Sequence, residues 1–319
     1  MTHTNPIDPL RRYKETGRAS ADAVSRSAGA PTGASESDPH SASATTPASD
    51  SDEAVDLPEA GDPAVAAFFD IDNTVIRGAS IFHLARGAYK RDFLTLSDLL
   101  GFAVDQIKFV LEGEEDLDAM AEATEQALSF VKGKTVEEIA EFGEEIYDRG
   151  MASKMWPGTI ALAQHHLTAG QRVWLVSATP VEIARVVGER LGLTGAMGTV
   201  SQTRDGVYTG RLLGHPLHGI AKAEAVRALA ADEGLDLSRC YAYSDSANDM
   251  PLLTAVGHPV AVNPDAELKE AARDNRWPIY DFRGRRQWRR YKLPAVVAGT
   301  AAAGVLAGYG LGAVNTKKD

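Results

Sequence analysis

The chain has 319 residues, a single cysteine and a formal net charge of -11. The length would accommodate about two ordinary domains. The lone Cys240 excludes an internal disulfide and fits a reducing compartment, and the acidic balance excludes general nucleic-acid affinity, which needs a dense basic surface.

Residues 1–60 are dominated by Ala, Ser, Thr, Pro and Asp, with almost no large apolar side chains between Ser20 and Ala60. Such a stretch cannot offset the entropy of ordering, so it reads as a disordered arm. It also lacks the apolar run of a secretory signal, which predicts a cytoplasmic catalytic part. A core is expected over 61–282. Val65 to Phe69 form an apolar run that predicts a buried strand, and Asp70-Ile-Asp72-Asn73-Thr74 follow it directly. From about Ser80 to Lys154 the pattern is helical, carried by Ile81, Leu84 and Ala88, by Leu99, Leu100, Ala103, Ile107 and Val110, and by Ile139, Phe142 and Ile146.

Beyond Gly158, helices and strands alternate, the signature of an α/β fold with a doubly wound parallel sheet. The expected elements are a helix at 159–168, a strand at 172–176 ending before Ser177-Ala178-Thr179, and a helix at 181–191. A hairpin between Thr199 and Leu212 turns at Asp205-Gly206. Helix 221–233 with Lys222 at its start, strand 239–243, helix 250–256, strand 259–262 and helix 266–274 complete the core. Ser244-Asp245-Ser246-Ala247-Asn248-Asp249 follow the third of these apolar runs.

Leu293 to Val314 make 22 residues without a charge, long enough to cross a hydrocarbon layer of about 30 Å. Arg283, Arg285, Arg286, Arg289, Arg290 and Lys292 form a basic collar before it, with Trp288 and Tyr291. This pattern predicts a single C-terminal anchor in the inner face of the cell membrane. Gly304, Gly308 and Gly312 have the spacing of a helix-mediated dimer. A small-residue helix packed on the domain, or a flexible tail, fits the same composition.

The four polar motifs, Asp70 to Thr74, Val176 to Thr179, Lys222 and Ser244 to Asp249, resemble in kind and order those of the haloacid dehalogenase-like phosphohydrolases, in the branch that includes phosphoserine phosphatase. The resemblance covers about Ala64 to Tyr280 and implies a Rossmann-like core with a small helical cap inserted after the first strand, here about 80–154. It implies hydrolysis of a phosphate monoester, with Mg²⁺ held by the carboxylates of Asp70 and Asp245 and the carbonyl of Asp72. Asp70 is then the nucleophile and Asp72 the general acid and base. Ser177, Lys222 and Asn248 face the phosphate, and Asp249 orients Lys222.

Plainer readings stand beside these. Asp72-Asn73-Thr74 suit an Asx turn and helix cap, Ser177 a helix cap, and Asp245 to Asp249 a capping loop. His165-His166 reads as a surface or boundary pair. Ser80 and His83 are placed at the entrance as leaving-group contacts, and His215 and His218 beside the Lys222 loop. The segment Arg77-Gly78-Ala79-Ser80 lacks the acidic residue with which phosphoserine phosphatases bind the substrate amine, so a small phosphometabolite or a lipid headgroup phosphate is expected instead. Phosphoryl transfer through the same intermediate, and a non-enzymatic phosphometabolite-binding module, are the alternatives.

Overall fold

The computed structural model describes residues 61–91, 93 and 131–284. The N-terminal arm, the expected helix around Leu99 to Val110, the span 293–314 with its glycines and all of the collar except Arg283 lie outside the described residues. Among the described residues no helix is long and apolar enough to cross a membrane.

The strands β1 (Ala66–Phe69), β2 (Arg172–Pro180), β3 (Gly195–Thr199), β6 (Tyr241–Ser244), β7 (His258–Val262) and β8 (Ile279–Tyr280) form one parallel sheet in the order β3-β2-β1-β6-β7-β8. The chain runs outward from β1 to β3, returns to the other side of β1, and runs outward again to β8. The order therefore reverses between β1 and β6, and their carboxyl ends frame the crevice where such sheets bind ligands.

Strand alternation divides the core into two layers. Ala67 and Phe69 of β1, Val173 and Leu175 of β2, and Tyr241 and Tyr243 of β6 pack on one face, against α3 (Pro157–Thr168) and α4 (Val181–Arg190). Ala66, Phe68, Trp174, Val176 and Ala242 pack on the other, against α5 (Ile220–Glu233), α6 (Met250–Leu253) and α7 (Ala266–Asp274). Phe69 and Tyr243 stack across neighbouring strands with ring centroids 4.1 Å apart.

The described parts of the insertion are helical: α1 (Ser80–Lys90), α2 (Val136–Ile146), a π-helical turn over Tyr147–Met151 and a 3-10 turn over Ala152–Lys154. Thr135 caps α2 reciprocally with Glu138. The hairpin β4 (Ser201–Arg204) and β5 (Val207–Leu212) turns at Asp205-Gly206, both at positive φ, as that pair predicts. It docks on the residues before α2, where Gly133 donates to Tyr208 O and Val136 to Gly206 O.

Two expected element ends need correction, and two strands are added. The second strand does not end at Val176: β2 continues through a register shift to Pro180, so Ser177 lies inside it. The helix expected over 250–256 stops at Leu253. The weak strands β3 and β8, which the sequence reading missed, form the two edges of the sheet.

Candidate active site

Asp70 follows β1 directly, and its N–H bonds to Tyr243 O at 2.9 Å, which extends the β1–β6 pairing and fixes the carboxylate at the reversal point. The side chain is buried and accepts from Lys222 Nζ at 2.6 Å. Lys222 enters on the first turn of α5 and also donates to Asp249 Oδ2 at 2.8 Å. The same Asp249 oxygen accepts Ser244 Oγ at 2.7 Å. One buried ammonium thus joins two buried carboxylates.

Burial pushes the Asp70 carboxyl well above its ordinary value; Lys222 opposes this, while Asp249, Asp72 and Asp245 add to it. The pull on Lys222 is the reverse: burial alone would weaken its hold on the proton, yet Asp70 and Asp249 overcome burial and raise it. Asp245, one residue past β6, is pushed up to about 7, by burial first and by Asp249 second. It accepts from Thr74 Oγ1 at 3.3 Å, and its backbone carbonyl accepts the N–H of Asp265 at 2.8 Å.

Asp72 is held differently. Its Oδ1 accepts the N–H of Ser80 at 2.8 Å and its Oδ2 accepts Ser80 Oγ at 3.1 Å. Burial raises its pKa, and these two bonds work against that. Ser80 Oγ lies 2.6 Å from Thr179 Oγ1, which lies 2.9 Å from Ser177 Oγ. Ser177 Oγ also accepts the N–H of Thr179 at 3.1 Å. Close packing fixes this bend of β2, because a Cβ on Gly198 would fall 2.6 Å from Thr179 O.

The structure therefore brings Asp70, Lys222 and Asp249 into direct contact, and links Asp72 to Ser177 through two hydroxyls. Asn248 stands apart from both groups: it is exposed on the turn before α6, with its N–H on Ser246 Oγ at 3.3 Å. Ser80 is not an entrance contact, since it is 3% exposed and committed to Asp72. His83 is half-buried, and burial lowers its pKa; the carboxylate of Asp72 opposes that, while Lys154 and Arg86 add to it. His218 lies within the electrostatic reach of Lys222 and Asp249.

His166 is not a boundary residue. It is fully buried, with Nε2 2.7 Å from Tyr243 Oη and Nδ1 2.5 Å from Gln171 Oε1. The capping readings are settled in part. Ser177 does not cap α4, whose N-cap is Pro180. Ser246 does cap the short turn Ala247–Asp249. Asp72 takes the amide of the first residue of α1, so it caps a helix eight residues away. Thr179, Thr74 and Ser244 also hold the site together; all three sit inside the four motifs, and that position is the signal the sequence carries for them.

For a cation, the chemistry of the donors is the test. Among the described residues no three His, Cys, Asp or Glu side chains converge as a metal site. The implied set is two carboxylates and a carbonyl, all hard oxygen donors, and Mg²⁺ characteristically keeps several waters beside such a partial set. Asp70 and Asp245 are also held above their ordinary pKa in a cluster where Lys222 is the cation acting on both. These residues fit Mg²⁺.

Residues 67–254 match the family model described as haloacid dehalogenase-like hydrolase. A Mycobacterium tuberculosis protein named phosphoserine phosphatase SerB1 is 51% identical over 246 residues, 77% of this chain and 80% of that one. A protein from Neisseria meningitidis serogroup C named histidinol-phosphatase is 32% identical over 221 residues, 68% of this chain and 98% of that one. The crystal structure of a protein of unknown function from Bordetella pertussis Tohama I superposes with a TM-score of 0.62 at 28% identity, covering 69% of this chain and 99% of that one. With the reversal point, the strand-end carboxylates and the buried lysine in place, the chain belongs to the haloacid dehalogenase-like hydrolases.

Proposed function

We propose that the protein is a Mg²⁺-dependent phosphate monoester hydrolase that works through an aspartyl-phosphate on Asp70. The observation that carries this reading is the buried Asp70–Lys222–Asp249 group at the carboxyl end of β1. Lys222 keeps Asp70 oriented and places a fixed positive charge where phosphoryl charge is transferred. Asp70 attacks phosphorus; the bond to the ester oxygen breaks, and that oxygen leaves with its electron pair and a proton from Asp72. Water then attacks phosphorus and gives a proton to Asp72, and the bond to Asp70 breaks to release inorganic phosphate. Mg²⁺ held by Asp70, Asp245 and the Asp72 carbonyl would neutralise phosphate charge and align the ester.

Phosphoserine and histidinol phosphate, the compounds in the relatives' names, are both primary phosphate esters with an amine on the adjacent carbon. They are the first two substrates to test. The segment Arg77 to Ser80 offers the amine no carboxylate, and Ser80 is already engaged. Recognition of an amine would therefore fall to the cap or to the hairpin beside it, while an ester without an amine needs no such group.

The decisive measurement is Mg²⁺-dependent phosphate release by the parent and by Asp70→Asn, with a hydroxylamine-labile phosphoenzyme trapped at low pH. Asp70→Asn should lose activity by about three powers of ten or more and form no phosphoenzyme. Near-normal turnover by that variant would overturn the assignment. Attachment through residues 283–319 belongs to the same proposal, supported by the uncharged span and the basic collar. Alkaline carbonate extraction of the full chain beside a version ending at Gly284 tests it, and a soluble full-length chain would refute it.

A further inference from the structure

We propose that Ser80 and Thr179 are positioning residues for Asp72, and that through Ser80 the first cap helix, α1, sets the orientation of the general acid. This deepens the phosphatase reading above and rests on it. Both oxygens of Asp72 are occupied by one residue, through Ser80 N–H at 2.8 Å and Ser80 Oγ at 3.1 Å. A carboxylate gripped at both oxygens by one residue has its torsions fixed, and it keeps lone pairs free for a substrate.

The amide belongs to the start of a helix that lacks a cap of its own. The N-cap of α1 is Ala79, whose methyl group cannot accept a hydrogen bond, so Asp72 satisfies an orphan N–H at the positive end of the helix. A shift of α1 consequently carries the Asp72 carboxylate with it. The adjacent carboxylate has no such tie, since Asp70 is bonded to Lys222 on α5.

Donor counting gives Thr179 its part. With Asp72 ionised, Ser80 directs its one hydroxyl hydrogen to Asp72 Oδ2. Across the 2.6 Å contact Thr179 must then be the donor, and across the 2.9 Å contact Ser177 must donate to Thr179. Thr179 therefore orients the Ser80 hydroxyl, and the chain of hydroxyls joins the cap to strand β2. Ser80 and Thr179 are buried, and the hydroxyl of each is engaged within this chain.

The test uses leaving groups of different basicity on the full-length protein with Mg²⁺. Departure of p-nitrophenolate needs little protonation, whereas phenolate needs more. The loss of an oriented acid lowers kcat/KM for phenyl phosphate more than for p-nitrophenyl phosphate, and a general loss of structure lowers both alike. Asp72→Asn is the reference. Ser80→Ala should penalise phenyl phosphate by about tenfold more than p-nitrophenyl phosphate, and Thr179→Val by about threefold more. Thr179→Ser, which keeps the hydroxyl, should restore the parent ratio.

If Asp72→Asn steepens the dependence while Ser80→Ala and Thr179→Val lower both esters equally, the positioning proposal fails and the acid assignment stands. If Asp72→Asn itself leaves the ratio unchanged, the acid assignment fails. Should Ser80→Ala not fold, the pair Thr179→Val and Thr179→Ser decides, because the first keeps the shape and removes the hydroxyl, while the second keeps the hydroxyl and removes a methyl.

Discussion

Asp70 and Asp72 stand two residues apart at the end of one strand, yet the protein holds them by opposite means. Asp70 is fixed by charge: Lys222, arriving on α5, pairs it with Asp249, and every member is buried in the core domain. Asp72 is fixed by neutral hydroxyls and one helix-end amide, and those groups come from the cap helix and from β2. Breaking a buried ion pair leaves an uncompensated charge and costs about 3–5 kcal/mol, whereas removal of one uncharged donor from a carboxylate costs about 1.5–3 kcal/mol. In the proposed mechanism Asp70 must keep its place from one turnover to the next, which a buried charge network secures, whereas Asp72 need only be oriented when it gives or takes a proton.

The sharpest break of this comparison is Lys222→Met, which removes the charge and keeps the bulk. Activity should fall by about three powers of ten, and stability near neutral pH by about 3–5 kcal/mol, read from denaturant midpoints. Asp70, already held well above the ordinary 3.8, is pushed further up without Lys222. The folded state then binds protons that the unfolded chain has released, so stability falls as pH rises through the raised value. The deficit of Lys222→Met should shrink as the buffer is made more acidic. A deficit independent of pH would mean that Asp70 does not depend on Lys222.

The polar group beneath the sheet extends the comparison to a residue held neutral. His166 has its pKa lowered from 6.5 to about 4, burial being the largest cause. As pH falls, the unfolded chain takes up this proton first. The stability is therefore complete above 6.5 and is lost as pH falls towards 4, a change of about 3 kcal/mol for the full difference. Denaturant midpoints at pH 7 and pH 5 should differ in the parent and differ less in His166→Gln. Equal slopes in the two proteins would place the acid sensitivity elsewhere.

Asp245 separates stability from function. Burial and the nearby Asp249 push it up to about 7, so without a cation it is held at a cost. Asp245→Asn should leave the metal-free protein as stable as the parent, or more stable, at pH 8, and raise the Mg²⁺ concentration for half activity by about tenfold or more. A marked loss of metal-free stability would show that its bond to Thr74 outweighs the burial.

Much of this was legible in the sequence because each charged candidate sits at a strand end or helix start, and apolar runs mark those places. The strand before Asp70, the helix opening at Lys222 and the turn at Asp205-Gly206 all follow from local pattern. The hydroxyl chain is not legible, since Ser80 and Thr179 are 99 residues apart and meet only in the folded chain, where the start of α1 lies against β2. His166 was misread because a helical pattern does not say which polar residue faces a tyrosine from another strand. Strand β3 was missed for a packing reason. Gly195 weakens its strand signal, yet a Cβ there would lie 2.4 Å from the Trp174 ring.

The smallest expected effect concerns Ser244, the last residue of β6. Its hydroxyl donates to the Asp249 oxygen that also receives Lys222, at 2.7 Å and 2.8 Å respectively. Two donors on one oxygen fix Asp249 and, through it, the ammonium that grips Asp70. Ser244→Ala removes one of them and leaves the ion pair, so it should cost about 1.5 kcal/mol of stability and lower kcat a few-fold with little change in KM. Ser244→Gly would add backbone freedom at the end of β6 and should be slightly less stable than the alanine variant. If both variants matched the parent in kcat and stability, Lys222 alone would suffice to hold Asp249, and the charged half of the site would be more independent of its neutral neighbours than the geometry implies.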